Sequence, residues 1–318
     1  MAELAVISQQ PQAAIAIQDQ LHGLIEAFLA SLDVRASSSA TYGRQLKQWA
    51  LWLERTGRIE RMKELTREDI LAYKRHLQGQ MSSLSVNGYM TAVRKWYAWL
   101  EGEKLYPNIA RDIKGLKRPT GFAKDTLSEK QLQKALGAID RSSLEGLRDY
   151  AIFNLMARTG LRDIEIARAF VGDIRQEAGQ PILYIQGKGR DRADEFVLLL
   201  PEALKPIKDW QKARARAMGQ PADEEPLFCS LSLRNYGQAL STRSISRLIK
   251  QAMRSIGLDD KRLTAHSLRH TAITLAVKGG ASLHQAQAMA RHSSPSTTMI
   301  YFHNLARISQ GAERYITF

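Results

Sequence analysis

Between Ile113 and Lys124 the chain reads IKGLKRPTGFAK, mixing positive charge with glycine and proline and carrying no periodic apolar residues. Such a run continues neither a helix nor a strand, so it divides the chain and is assigned to a basic linker over 113–125. With 318 residues in all, each side is long enough to bury its own core. On the N-terminal side, residues 1–18 are rich in Ala and Gln without periodicity and read as a mobile arm. Leu21, Leu24, Ile25, Phe28, Leu29 and Leu32 then recur at helical spacing. A serine cluster at 37–39 introduces a second helix carrying Tyr42, Leu46, Trp49 and Leu53, which Gly57 stops. Thr66 N-caps a third through Ile70 and Leu77, and Ser85 opens a fourth with Val86, Val93, Trp96 and Leu100. Residues 19–112 are therefore expected to form a four-helix domain. Lys47, Arg67, Lys74, Arg75, Arg94 and Lys95 decorate it, and two readings stand for each: a solvated helix face or a contact with DNA.

Beyond the linker, over 126–318, helices resume from Ser128 to about Ile139 and again through Leu147, Ala151, Leu155 and Met156 to Gly160. Arg162 begins the next helix, with Glu165 one turn on and able to hold its guanidinium. The β-formers Ile182–Ile185 and Phe196–Leu200 bracket GKGRDR, which predicts one hairpin with a basic tip bearing Lys188. The tip lacks the Gly-x-x-x-x-Gly-Lys-Ser/Thr of a nucleotide-binding loop. Later helices follow Pro201 and span 242–256, the latter with a basic stripe of Arg243, Arg247, Lys250 and Arg254. The fold class is thus mostly α with a small β hairpin.

The stretch from Thr264 to His303 concentrates the candidate chemistry. If Ser267 opens a helix, His266 and Arg269 lie near its N-terminus on one side, where the dipole favours an anion such as phosphate. Leu268, Ile273, Leu275 and Val277 supply packing, Gly279-Gly280 ends the helix, and a short helix over 283–290 leads to His292. Tyr301 follows after a Ser/Thr-rich approach. The tail 304–318, with Leu305, Ile308, Ala312, Tyr315 and Ile316, reads as an amphipathic helix that must cover its apolar side on its own domain or on a neighbour.

Net charge sharpens the choice of partner. A formal charge of +14 and a pI of 9.9 favour a polyanion, because each neutralised phosphate releases condensed counterions. No apolar run approaches the roughly 20 residues of a spanning helix, and no signal peptide is apparent, so no membrane role and a cytoplasmic location are expected. The single cysteine, Cys229, makes no internal disulfide and reads as buried filler.

His266-x-x-Arg269, then His292, then Tyr301 resembles the C-terminal motif of the tyrosine recombinases, the phage-integrase family that includes the Xer-type enzymes. That family also has an arginine early in its catalytic domain and a lysine in a β-turn. Arg162, in RTGLRDIEI, and Lys188, in QGKGR, match both. The resemblance implies a SAM-like core-binding domain that clasps the duplex and an α+β catalytic domain. It further implies site-specific recombination of double-stranded DNA at paired half-sites by a homotetramer. By the same resemblance, strands would be exchanged through a 3′-phosphotyrosyl bond and a Holliday junction, with accessory DNA-bending proteins as candidate partners and no cofactor or metal. Tyr301 would then attack the phosphate, Arg162 and Arg269 would hold its non-bridging oxygens, and His292 would add a hydrogen bond. Lys188 would protonate the leaving 5′ oxygen, and His266 would orient Tyr301 or accept its proton. Glu165 matches an acidic position of the family. One departure stands out: Arg291 occupies the place, before His292, where glycine is common, and is expected either to contact DNA or to restrict the turn.

Three other readings compete. A type IB topoisomerase shares the chemistry without strand exchange, and a non-catalytic DNA-binding regulator would need only the charge. A metal hydrolase is suggested by His266-x-x-x-His270, yet the intervening glutamate of the zinc-protease motif is absent and Arg269 would repel the ion.

Overall fold

The computed structural model describes residues 19–117, 125–187 and 189–317. The expected arm 1–18, residues 118–124 of the expected linker, and Lys188 lie outside the described residues. The chain is mostly helical and divides into two compact units, Met1–Thr120 and Gly121–Phe318.

The first unit holds α1 (19–31), α2 (Ala36–Arg55), α3 (Arg67–Gln78) and α4 (Ser83–Gly102). Its core is aromatic. Trp49 stacks on Trp52 at 5.3 Å and meets Tyr73 edge-on at 4.8 Å, with Phe28, Trp96 and Tyr97 also buried. The helix α4 begins earlier than the sequence suggests: Ser82 is its N-cap and accepts from the Ser85 backbone N–H. The packed part of the unit also extends past the expected boundary at 112. Ile113 is buried and Leu116 packs on the core. Asn87 bonds Leu116 in both directions, at 2.9 and 2.6 Å. Arg67 donates to the Arg111 carbonyl (2.6 Å), Lys74 to that of Lys114 (2.7 Å) and Arg94 to that of Ile113 (3.1 Å). Three of the cations that sequence leaves between solvent and DNA thus tack down the chain entering the linker, over Arg111 to Lys114.

The second unit contains α5 (Glu129–Gly137), α6 (Leu144–Thr159), α7 (Asp163–Ala167), β1 (Ile174–Glu177), β2 (Gln180–Ile185) and β3 (Glu195–Leu198). The chain continues through α8 (Pro201–Met218), α9 (Thr242–Arg254), α10 (Ala265–Lys278), α11 (Leu283–Ala290) and α12 (Pro295–Ser309). Helix α6 is buried nearly all round, as an internal helix must be when apolar residues cover every side. The β structure is a three-stranded antiparallel sheet in the order β1-β2-β3, with Leu183 opposite Val197. Sequence misses β1 because its four residues, IRQE, are half-exposed or exposed and show no alternation. The hairpin's second strand stops at Leu198, and Leu200 instead caps α8. Cys229 is buried, beneath a carbonyl that accepts from buried Arg148 at 3.2 Å.

The expected tail helix is also revised. Tyr301 lies inside α12, which ends at Ser309 and is followed by a 3-10 turn over Ala312–Tyr315. Tyr315 and Ile316 stay exposed.

Candidate active site

Helix α6 ends at Gly160, whose left-handed backbone (φ 64°) turns the chain into Leu161 and Arg162. That turn aims the Gly160 carbonyl at the later helices. Arg162 caps α7, and Glu165, one turn inside it, is fully buried. One Glu165 oxygen accepts from Arg162 Nη1 and the other from the Arg162 backbone N–H, each at 2.7 Å. The Arg162 side chain keeps 27% of its surface exposed, so its outer face is available to a ligand. Burial alone would raise the Glu165 pKa. The cations of Arg291 and Arg162 outweigh it and hold the carboxyl below its usual range.

Helix α10 opens at Ala265, with Thr264 as N-cap and Ser267 Oγ accepting from the Thr264 N–H at 3.0 Å. Ser267 therefore completes the first turn instead of opening the helix. Leu127 N–H donates to Thr271 Oγ1 (2.9 Å), anchoring the start of the unit to this helix. Arg269 is buried and donates to the Gly160 and Ala290 carbonyls, the former at 2.7 Å. Burial, then the nearby Arg162 and Arg291, lowers its pKa to about 9, which still leaves a cation at neutral pH. His266 meets His270 edge-on, with ring centres 4.6 Å apart.

Tyr301 projects from α12 into this corner, packing on Ile273, Ala290 and Val277. Its phenol oxygen lies 2.5 Å from His270 Nδ1. Burial pushes its pKa up to about 12, against the pull of Arg269 and Arg162. His292 Nδ1 pairs with Thr298 Oγ1 at 2.8 Å, and Gln287 holds the His292 carbonyl at 3.0 Å. Burial, then Arg269, Arg162 and Arg291, lowers the His292 pKa to about 4. For His270 the value is also about 4, from burial and then His266, Arg269 and His292.

The structure therefore gathers Arg162, Glu165, His266, Arg269, His292 and Tyr301 around one corner. Lys188 lies outside the described residues, although its flanks are anchored: Arg168 donates to the Gly187 carbonyl (3.3 Å) and Gln186 to that of Arg190 (2.8 Å). Two residues gain roles that sequence reasoning missed. His270, weighed only as half of a metal pair, is the hydrogen-bond partner of the phenol. Its signal was present, since it follows Arg269 directly and sits one turn below His266. Arg291 points inward, bonding Glu165 at 2.8 Å with its side chain only 3% exposed. Among the described residues no cluster of three or more His, Cys, Asp or Glu is arranged to hold a metal ion.

Comparison with known proteins gives the same direction. The model of the phage integrase family matches residues 125–307, and that of the phage integrase N-terminal SAM-like domain matches 25–104. The tyrosine recombinase XerD of Halalkalibacterium halodurans is 26% identical over 83% of this chain and 85% of its own length. The XerH site-specific recombinase bound to a palindromic difH substrate, in its post-cleavage complex, shares the fold. Its TM-score is 0.71 at 21% identity, covering 87% of this chain and 80% of that one. A lambda integrase tetramer bound to a Holliday junction is similar in fold at TM-score 0.64 and 17% identity, covering 88% and 76%.

Proposed function

The chain belongs to the phage integrase family as a tyrosine recombinase of the Xer type, and from that premise we propose that it cuts and rejoins DNA at paired half-sites through a bond to Tyr301. The observation that carries this reading is the phenol: buried beside two arginines, with its oxygen on an imidazole that stays neutral at physiological pH. With its own proton on Nε2, His270 accepts the phenol proton at Nδ1 as the phenolate oxygen attacks the scissile phosphorus. A phosphorus–oxygen bond to Tyr301 forms and the bond to the 5′ oxygen breaks, leaving a 3′-phosphotyrosyl link. The leaving oxygen takes a proton from Lys188. His266, set edge-on against His270, orients that ring, so the role expected of His266 at the phenol passes to its neighbour.

Arg162 and Arg269 stabilise the charge that grows on the non-bridging oxygens, and they do so without reorganising, because Glu165 and two backbone carbonyls already hold them. His292 contributes a further hydrogen bond. The phosphodiester is exchanged for a phosphotyrosyl ester of similar energy, so attack by a 5′ hydroxyl from another strand reverses the step. We assign the assembly to four protomers on two duplexes, by likeness to the lambda integrase tetramer on its junction, acting on DNA in the cytoplasm. The test uses nicked duplexes tiled across the DNA flanking the gene. Tyr301→Phe is expected to bind them nearly as the parent does and to form no covalent adduct; an adduct that survives the substitution would sink the assignment.

A further inference from the structure

Arg291 sits in a backbone that does not suit it. It ends α11 in the left-handed region (φ 52°, ψ 47°), where residues other than glycine are uncommon, and Gly or Asn would meet that geometry with less strain. Its guanidinium is nevertheless buried among backbone and acid. Nη1 donates to the Met289 carbonyl at 2.6 Å, and Nη2 donates to Glu165 at 2.8 Å and to the Gly160 carbonyl at 3.4 Å. Its Nε is buried with no hydrogen-bond partner among the described residues. A buried ion pair is poor support for stability, since desolvation offsets much of the attraction. Neither the turn nor the core explains this side chain.

Its partners do. Glu165 is the carboxylate that also fixes Arg162, and the Gly160 carbonyl also accepts from Arg269. Through one carboxylate and one carbonyl, Arg291 is joined to both arginines of the site, and by the chain itself to His292. The two sides of the pocket come from separate parts of the sequence: Gly160 to Glu165 at the start of α7, and Arg269 to Tyr301 on α10 to α12. A glycine at 291 would relax the turn and leave Glu165 serving Arg162 alone. Resting on the reading of the site given above, we propose that Arg291 is a positioning residue, which ties the turn carrying His292 to the helix start carrying Arg162 before DNA arrives. The side chain replaces the backbone freedom of a glycine with an ionic tie. Its charge also leaves the pocket with more cation than Glu165 neutralises, an excess that the phosphoryl oxygens balance as their charge grows.

The test uses the full chain as Arg291→Gly, Arg291→Lys, Glu165→Gln and the Arg291→Gly/Glu165→Gln pair. On the tiled nicked duplexes, Arg291→Gly is expected to slow single-turnover adduct formation roughly ten-fold or more while DNA affinity changes less than about two-fold. Arg291→Lys should restore part of the rate. Because Arg291 acts through Glu165, the double variant should be no slower than the slower single one. The second readout needs no DNA: the His292 imidazole is titrated by NMR. Arg269, Arg162, Arg291, His266, His270 and Tyr301 surround that ring. Burial holds most of its lowered value, and its titration is expected to move part of the way up toward 6.5 when Arg291 is removed. Adduct formation within about two-fold of the parent, an unmoved His292 titration, or losses that multiply independently would each overturn the tie. Should Arg291→Gly fail to fold, Arg291→Lys carries both measurements, with a partial loss of rate and a changed titration expected. If the parent forms no Tyr301-dependent adduct, the reading of the site falls, and the titration of Arg291→Lys, which keeps the charge, still decides whether Arg291 holds His292.

Discussion

Single residues here owe their protonation to burial. A phenol pushed up to about 12 is un-ionised at neutral pH, so the proposed attack requires a group that takes its proton. A histidine held near 4 is neutral and able to do so. The sign follows from the depressed value: folding favours neutral His270, and that contribution is complete above the ordinary 6.5 and lost as pH falls towards about 4. Adduct formation by the parent is therefore expected to be nearly flat from about pH 5.5 to 8. In His270→Ala the phenolate must form unaided, and the rate should climb about ten-fold per pH unit over the same window. Single-turnover assays across a pH series distinguish the two, and a flat profile in the variant would remove His270 as the acceptor.

Among the elements, the start of α3 shows how a helix end is fixed by charge. Asp69 closes the capping box with Thr66, accepting from its backbone N–H at 2.9 Å, and is gripped by Arg58 at 2.9 Å and Arg61 at 2.6 Å. Burial would raise its pKa, but the bonds from Arg61, the Thr66 backbone and Arg58 prevail and hold it at about 2. The folded value is below the ordinary 3.8, so the stabilisation is full above 3.8 and disappears as pH falls from there to about 2. The shift corresponds to ~2 kcal/mol. Asp69→Asn is expected to cost the first unit about that much at neutral pH and to flatten its acid unfolding. Denaturant melts followed by tryptophan fluorescence report it, because four of the five tryptophans, Trp49, Trp52, Trp96 and Trp99, lie in that unit and only Trp210 in the other; equal stability with and without the carboxylate would contradict it.

On the scale of the whole molecule, the two units have separate cores, and the net charge of +14 suits both to a polyanion. Among the described residues of the second unit, Tyr315 stays 82% exposed and Ile316 60% exposed. A cut after His303 would sever α12 two residues past Tyr301, whereas removal of 310–318 leaves the helix whole. The shorter deletion is expected to melt like the parent, to bind DNA and to form the adduct, but not to assemble a tetramer in sedimentation on paired duplexes. Full assembly would show that the segment serves no neighbour, and a large drop in melting temperature would return it to its own core.

Local patterns in the sequence determined the helices, since apolar residues one turn apart, serine and threonine caps and terminal glycines act within a few residues. They also determined the order in which Arg162, Lys188, His266, Arg269, His292 and Tyr301 occur. Strand β1 escaped, because a short strand with little buried surface is specified by its partner β2 and not by its own residues. What only the tertiary structure decided is which groups touch. His270 meets Tyr301 across 31 residues, and Arg291 meets Glu165 across 126. No local window shows that Arg291 is buried, because arginine is rarely buried without a partner. Its partner is supplied by the Gly160 turn, which brings the buried Glu165 carboxylate under α11 and gives that cation an interior place to go.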